Sequence, residues 1–410
     1  MDQDTARTLF EQGGCLVILD APEGIEFGID LDSWETGPLF KGIKMIPPGI
    51  HYIHYSVVNS ENQAGMRCGF FHSFASGEVL VRKWSTDEEQ LMPADAVSNE
   101  DTERIKVNIR QLDSGLGAYP LTNEPESPYR KWLQLTAHIT GDMLGRVLPR
   151  DGAFTSATGS GYEDEEMESA RRMLERAKKS GAFDALARDR KDADGSADVD
   201  AQTIVDREIE NATKVALSED RFQFPHIDIR HSFPCDAPPS MIFQYSQDKS
   251  WLLRTSLAKH WSSDPGRLLG EFQLSFLIIF VGQNFTGFEH WKRLLQLVLS
   301  SAQVLGDRQM VSGLVIPLLR LLVRQLKECP HEFVTSVLEQ DNFVARILCA
   351  FVLNVFESDA STSREELTGE IDKLRVFLNS AFGWKLPSGK QLQDEADREE
   401  GEYAPQVVEL

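Results

Sequence analysis

The hydrophobic pattern is strongest in residues 268–299, where two helical segments follow each other. The first, 268–281, is apolar on nearly every side, which indicates a helix covered by other elements. Its uninterrupted apolar run, 276–281, is far shorter than the ~20 residues that cross a bilayer. The second segment, 288–299, is apolar on one face only. The turn-rich residues 282–287 between them predict an antiparallel helical hairpin at the centre of the C-terminal half.

The first part of the chain, residues 1–155, shows short β-type runs separated by glycine and proline. The predicted strands are 15–19, 25–29, 42–46, 51–55, 66–74 and 79–84. Short strands at this spacing predict a β-rich, sandwich-like or barrel-like domain. Helical spacing follows at 103–112 and 129–147, so we predict helices at the end of this domain.

After residue 218 the apolar positions recur at helical spacing. We predict an all-α domain over 219–385 that contains the central hairpin and about six antiparallel helices in all. Pro317 is expected either near a helix start or at a kink. Ser363 and Glu366 match a capping box and predict a helix start. The predicted fold class is therefore α+β, with a β-rich domain followed by a helical one.

Two stretches lack a core-forming pattern. Residues 156–218 are charged and rich in alanine, so we predict an acidic linker or surface insertion. Residues 386–410 are predicted to be a flexible tail that is polar at first and apolar from Tyr403 to Leu410. This apolar end can add a strand to the sheet edge of a partner, dock on its own N-terminal domain or be a frayed end, and the residues alone leave these possibilities open.

The charge balance narrows the class of partner. The 410 residues include 42 Lys and Arg against 64 Asp and Glu, a net charge of −22. Such a chain repels phosphate backbones, which disfavours direct binding to nucleic acid. The five cysteines are scattered and odd in number, as is typical of a reducing compartment. Because the N-terminus lacks a signal-peptide pattern, we expect a cytoplasmic and nuclear protein that does not bind membranes.

The candidate motifs for catalysis and metal binding fail on their spacing. Residues 37–42 resemble the start of a phosphate loop, but the Lys and Ser or Thr that should follow are absent. His331 begins a zinc-protease pattern whose second histidine is replaced by Thr335. His51 and His54 lie on opposite faces of a predicted strand and would not share a metal ion. We predict no catalytic residue, cofactor or metal, although a hydrolase with a dispersed site between the domains remains an alternative.

Three long blocks of sequence carry a resemblance to a known family. The blocks are 26–56, 69–85 and 269–295, with weaker agreement at 112–120, 131–140, 248–251, 340–343 and 404–410. On these residues the chain resembles the Aar-two family of splicing assembly factors. The agreement keeps the same order over nearly the whole chain and fails only in the acidic middle.

The resemblance implies a C-terminal domain similar to VHS adaptors and a non-enzymatic role. It also implies binding to the Prp-eight protein, the scaffold of the U-five small nuclear ribonucleoprotein (snRNP), through its RNase H-like and Jab-one/MPN domains. The family is expected to hold these domains during particle assembly and to keep the Brr-two-type helicase away until maturation. The bridging strand of the family falls on Tyr403, Pro405, Val407, Val408 and Leu410, which favours strand addition to the partner. An alternative function is a vesicle-trafficking adaptor, because VHS-like helices also bind sorting peptides.

Overall fold

The computed structural model describes two domains. The residues it describes are 9, 12–58, 65–122, 124, 126–160, 221–230, 232–234, 237–330, 343–358 and 361–402. They form an N-terminal domain built on β-sheets and a C-terminal helical domain, so the predicted α+β class is confirmed. The similarity to VHS adaptors stays a prediction, as do the domain boundaries 1–155, 156–218, 219–385 and 386–410.

Two five-stranded sheets make up the N-terminal domain. Within the described ranges the strands are β1 (Gly14–Leu19), β2 (Glu26–Ile29), β3 (Asp32–Glu35), β4 (Gly42–Ile46), β5 (Gly49–Ser56), β6 (Cys68–Phe74), β7 (Val79–Ser85), β8 (Gln90–Leu91), β9 (Leu116–Ala118) and β10 (Ala153–Thr155). One sheet has the order β8-β7-β1-β4-β9 and the other β10-β6-β5-β2-β3. β1 pairs in parallel with β7, and β4 in parallel with β9, whereas the second sheet is antiparallel throughout.

Apolar side chains from both sheets fill the space between them. The buried set includes Leu16, Ile18, Ile43 and Ile46 from the first sheet and Phe27, Ile29, Ile53, Tyr55, Phe70 and Phe74 from the second. Because side chains alternate along a strand, each strand contributes one face to this core. Each large apolar side chain buried here stabilises the domain by about 1.5–3 kcal/mol. The six predicted strands are present, and β3, β8, β9 and β10 were not predicted.

Helices flank the sheets and form the C-terminal domain. In the described part of the chain they are α1 (Asn99–Val107), α2 (Pro128–Leu135), α3 (Gly141–Val147), α4 (Pro239–Gln247), α5 (Ser250–His260), α6 (Pro265–Phe280), α7 (Phe285–Leu299), α8 (Arg308–Glu328), α9 (Phe343–Glu357), α10 (Ser361–Phe382) and α11 (Gly389–Glu402). The predicted hairpin is α6 and α7, whose polar cap is Asn284. Its side chain accepts hydrogen bonds from the amides of Thr286 and Gly287.

Helix α8 contains Pro317 without ending there. A π-helical turn over Val311–Val315 precedes the proline and keeps the helix continuous. Of the described helices, α8 alone is long and apolar enough to cross a bilayer. Its apolar side chains Leu318, Leu319 and Leu322 nevertheless lie in the core of the C-terminal domain.

The helix predicted over 129–147 is two helices, which corrects the sequence analysis. The Ser127 hydroxyl caps α2, and the Thr140 hydroxyl caps α3 after a break. Both helices turn apolar residues toward one core, so the apolar spacing continues across the break and hides it. The helix predicted over 103–112 also differs, since α1 ends at Val107 and a 3₁₀ segment follows at Ile109–Gly115.

Helix α11, Gly389–Glu402, lies in the stretch that the sequence analysis assigned to a flexible tail. Leu386 is buried, and Leu392 packs against the core of the C-terminal domain. The surrounding residues are mostly charged, so the sequence offers only a narrow apolar stripe. That stripe is too short to indicate a docked helix by hydrophobic spacing alone.

Candidate functional site

The junction between the two domains is the most elaborate polar site in the described chain. Helices α2 and α3 and strand β10 face α6, α7 and α8 across it. One continuous apolar cluster crosses the boundary and includes Trp132 and Phe154 from the N-terminal domain with Phe272 and Leu277 from α6. The Trp132 indole Nε1–H donates to the carbonyl of Ile50 at 2.7 Å. The two domains therefore share a core and are expected to move together.

Glu271 of α6 is the centre of a buried network at this junction. The side chain is fully buried, and its Oε1 lies 2.8 Å from His290 Nε2 on α7. Its Oε2 accepts a hydrogen bond from Arg146 of α3 at 2.6 Å and another from the Trp261 indole at 2.9 Å. The ring of Phe224 stacks on His290 at 4.1 Å between centroids. Arg146 belongs to the N-terminal domain, so this network joins the two domains.

The pKa values of this network favour one charge distribution. Burial by itself raises the pKa of Glu271, but the hydrogen bonds and charges of His290 and Arg146 outweigh it and hold that pKa below its usual value. Burial lowers the pKa of His290, and Glu271 opposes this only in part. The consistent arrangement is a Glu271 carboxylate neutralised by Arg146, with a neutral imidazole that donates from Nε2. Both carboxylate oxygens are occupied, so Glu271 is placed to hold the junction.

Backbone groups add further links across the junction. Gln273 of α6 accepts from the His138 amide at 2.8 Å and donates to the Gln134 carbonyl at 2.8 Å. Asn284 donates to the carbonyls of Thr155 and Thr158 at 2.9 and 2.7 Å. A buried side-chain amide with defined partners fixes the approach of two elements. These contacts set α6 and α7 against the end of the N-terminal domain.

A second buried carboxylate lies inside the sandwich. Asp30 Oδ2 is 2.6 Å from His51 Nδ1 and accepts from the Tyr119 hydroxyl at 2.6 Å, while Oδ1 accepts from the Tyr52 amide at 2.9 Å. The other ring nitrogen of His51 lies 2.8 Å from the Pro47 carbonyl. The Asp–His pair resembles a catalytic arrangement, but both ring nitrogens are occupied by protein groups. The pair therefore holds the loop before β5 in place.

The described histidines, cysteines and carboxylates offer little for catalysis or metal binding. In the described ranges no group of three or more His, Cys, Asp or Glu is placed to hold a metal ion. Burial raises the pKa of Cys15 and of Cys329 to about 12, so both thiols are protonated and poorly nucleophilic. His51 and His54 point to opposite faces of β5, as predicted, and both are buried.

Helix α4 carries an exposed apolar surface. None of its residues is buried, none is charged, and Phe243 is 70% exposed. A groove of about 260 Å³ lies beside it, lined by Met241, Tyr245, Trp251 and Arg254 together with Gln244, Thr255 and Gln303. The buried amine of Lys249 donates to the carbonyl of Ser246 and to the Ser232 hydroxyl, which fixes the end of α4. An apolar surface of this kind, held rigidly, suits contact with another protein.

An apolar cluster on α7 and α9 has one exposed member, Phe285, while its other members are half-buried, and we call it the α7 patch. It consists of Phe285, Phe288 and Lys292 on α7 and Phe343 at the start of α9. Phe285 is 62% exposed. The Lys292 Nζ lies 5.9, 4.9 and 5.6 Å from the ring centroids of Phe285, Phe288 and Phe343. Cation–π contacts of this kind hold the three rings around one amine.

The residues predicted to bind a partner, at the end of the chain, lie outside the described residues. They are Tyr403, Pro405, Val407, Val408 and Leu410. The sequence analysis did not predict the Glu271 network, the exposed apolar surface of α4 or the α7 patch. Glu271 and Gln273 are polar residues in an almost wholly apolar helix, and that contrast could have indicated buried polar partners. Nothing in the sequence pairs Glu271 with Arg146, because 125 positions separate them.

Comparison with known proteins gives the same result for both domains. The profile described as "AAR2 N-terminal domain" matches residues 12–149, and the one described as "AAR2 C-terminal repeat region" matches residues 224–387. A human protein named "Protein AAR2 homolog" is 32% identical over 418 residues, which cover all of this chain and 97% of the relative. The protein of that name from Caenorhabditis elegans is 33% identical over 386 residues, covering 92% of this chain and 95% of the relative.

Proposed function

Because this chain belongs to the AAR2 family, we propose that it is a non-enzymatic assembly factor of pre-mRNA splicing that binds spliceosomal proteins. The observation that carries the proposal is the relationship over the whole chain, at 32% identity with the human relative. The two buried carboxylates support a non-catalytic role, because both oxygens of Asp30 and both oxygens of Glu271 contact protein groups. The net charge of −22 suits a basic, RNA-handling protein partner and disfavours RNA.

The proposed partner is the Prp-eight protein of the U-five snRNP, bound through its RNase H-like and Jab-one/MPN domains. In this proposal the two folded domains act as one rigid body, and the end of the chain reaches a second domain of the partner. Holding both partner domains would keep the Brr-two-type helicase away until the particle matures. The proposed location is the cytoplasm and the nucleus, where such particles are assembled and used.

The end of the chain is proposed to bind by adding a strand to a sheet of the partner. Residues 403–410 contain Tyr403, Val407, Val408 and Leu410 as large apolar residues and one charged side chain, Glu409. In strand addition the backbone hydrogen bonds give affinity, and alternate side chains fill pockets. A short strand suits an assembly factor that must later leave, because its affinity is moderate.

The first experiment removes the end of the chain at a position set by the structure. Helix α11 runs to Glu402, so a chain stopped after Glu402 keeps every described element. We expect the affinity for the two linked Prp-eight domains to fall at least about tenfold, which corresponds to about 1.4 kcal/mol. Isothermal titration calorimetry measures this loss, and an unchanged Tm shows that the fold is intact. Equal affinity of the shortened and full chains would contradict the role of the strand.

A proline scan separates strand addition from simple apolar contact. Proline removes the backbone N–H, and along a strand only alternate N–H groups face the neighbouring strand. Proline at 406 and 408 should therefore affect binding differently from proline at 407 and 409. Alanine at the same four positions is the matched control. Equal losses of affinity at all four positions would indicate side-chain contact without backbone hydrogen bonds to a neighbouring strand.

A second candidate function is the vesicle-trafficking adaptor, and the groove beside α4 favours it. Apolar walls from Met241, Tyr245 and Trp251 with one cation, Arg254, suit a peptide that has aliphatic and acidic residues. Affinity purification of the full chain separates the two functions. Recovery with spliceosomal proteins supports the assembly factor, whereas recovery with membrane coats, lost in Arg254→Glu, supports the adaptor.

A further inference from the structure

The described chain ends close to the α7 patch. Helix α11 packs along α9, and the backbone of Gly389 lies directly against the side chain of Phe356. Further along α11, Glu395 lies near Cys349 of α9. Burial raises the pKa of the Cys349 thiol, and the negative charge of Glu395 raises it further. Gly389 lies beside Phe356 and Glu395 beside the earlier residue Cys349, so the two helices are antiparallel. With equal rise per residue, Glu402 at the end of α11 lies near Phe343 at the start of α9.

The α7 patch is small enough for the remaining residues to cover it. All three ring centroids lie within 5.9 Å of the Lys292 Nζ, so no two are further apart than twice that distance. The eight residues that follow Glu402 span about 26 Å when extended. Because residues 403–410 begin near Phe343, they can extend across the patch to Phe285 without any movement of the helices.

The chemistry of these eight residues matches the patch. Tyr403, Val407, Val408 and Leu410 offer apolar surface to Phe285, which is 62% exposed. Pro405 disfavours continuation of α11, because it lacks an N–H and restricts the residue before it. The segment is therefore suited to leave the helix axis and to lie across the neighbouring surface.

We propose that residues 403–410 dock on the α7 patch of their own chain when no partner is bound. This proposal rests on the proposed function of the same residues as a strand for a partner. The same apolar side chains would serve both contacts, so docking in cis and binding in trans exclude each other. If nine chains in ten are docked, the affinity for the partner is lowered about tenfold. Docking would thus keep an apolar strand from pairing with the wrong sheet edge.

Hydrogen exchange of the full chain tests the docking directly. We expect the amides of 403–410 to exchange about tenfold more slowly than in a free peptide of the same sequence. Phe285→Ser should restore the rate of the free peptide. The matched control is Val376→Ser, because Val376 is an apolar residue of α10 that is 68% exposed. This control should keep the slow exchange, and an unchanged Tm shows that both variants fold.

Three results would overturn the docking. The first is exchange of 403–410 at the free-peptide rate in the unchanged protein. The second is slow exchange that Phe285→Ser leaves intact. The third is a change that Phe285→Ser causes in residues 331–342 and not in 403–410, which would make that segment the occupant of the patch.

A binding measurement separates this proposal from the proposed function. Phe285→Ser should raise the affinity for the linked Prp-eight domains up to about tenfold, since it frees the strand. If Phe285→Ser loses the slow exchange, docking is supported. If the full and shortened chains then bind the partner domains with equal affinity, the partner-binding role of the segment is contradicted while docking stands. Weaker binding by the shortened chain with free-peptide exchange in the full chain contradicts docking alone.

Discussion

Two buried carboxylates each contact a histidine in this protein, and the two pairs have different structural roles. Asp30 and His51 lie within one domain, and their other partners, Tyr119 and the Pro47 carbonyl, belong to the same sandwich. Glu271 lies on α6 and binds Arg146 of the other domain. The same pair of residue types therefore organises a loop in one place and joins two domains in the other. Partners, and not residue type, decide which role a buried carboxylate has.

The largest expected effect comes from Glu271→Ala. Removal of this carboxylate leaves Arg146 and His290 without their shared partner at a buried junction. Loss of one member of a buried ion pair costs about 3–5 kcal/mol. Urea denaturation measures the loss in the free energy of unfolding. Unfolding curves followed by tryptophan fluorescence and by circular dichroism show whether the two domains still unfold in one transition. The control is Asp101→Ala, which breaks the exposed pair with Arg104 and should cost at most about 1 kcal/mol.

A double-mutant cycle sharpens this result. If Glu271 acts through Arg146, the cost of Arg146→Ala should be much smaller in a chain that already lacks Glu271. Strict additivity of the two losses would contradict the view that this pair joins the domains.

Asp30→Asn should have the next largest effect. Asparagine tolerates the left-handed backbone found here, where φ is 58°, so the change tests the carboxylate without backbone strain. One amide oxygen cannot accept from His51, Tyr52 and Tyr119 together. We expect a loss of about 3 kcal/mol, because donors in a buried site lose a charged acceptor. Asp101→Asn is the exposed control, and equal losses at the two positions would contradict the role of burial.

Gly270→Ala should open the junction without removing a polar group. An added Cβ would overlap the His138 carbonyl oxygen and lie 2.6 Å from Met143 Cε. We expect a loss of about 2 kcal/mol from overpacking. The matched change is Gly369→Ala in α10, where nothing lies within 4 Å, and it should stabilise the protein by about 0.5–1 kcal/mol. Equal effects of the two alanines would show that α6 does not approach the N-terminal domain closely.

The sandwich could be predicted from sequence, whereas the junction could not. Strand β4 has the predicted bounds, because turn residues on both sides limit Gly42–Ile46 and its apolar residues Ile43 and Ile46 enter the core. The Glu271 network depends on Arg146, and no local spacing brings these residues together. The break between α2 and α3 and the docking of α11 were missed for a related reason, since both depend on packing against residues distant in sequence. Local patterns predict the elements, but the contacts between domains come from tertiary structure.

The smallest expected effect concerns a third buried histidine, which has no carboxylate to balance it. Burial and the nearby Arg67 cation lower the pKa of His54 to about 3, from an ordinary value of 6.5. The unfolded chain therefore binds a proton between these values that the folded chain does not bind. Stability is lost as the pH falls below 6.5, and one pH unit below it the loss from His54 is about 1.4 kcal/mol.

His54→Gln isolates this contribution to pH dependence. The free energy of unfolding of both proteins is measured by urea denaturation at pH 8 and at pH 5.5. At pH 8 the imidazole is neutral in both states, so the difference between the proteins there reports packing alone. At pH 5.5 that difference should shift by about 1.4 kcal/mol in favour of the variant. A difference that does not change with pH would mean that His54 takes up its proton inside the folded protein.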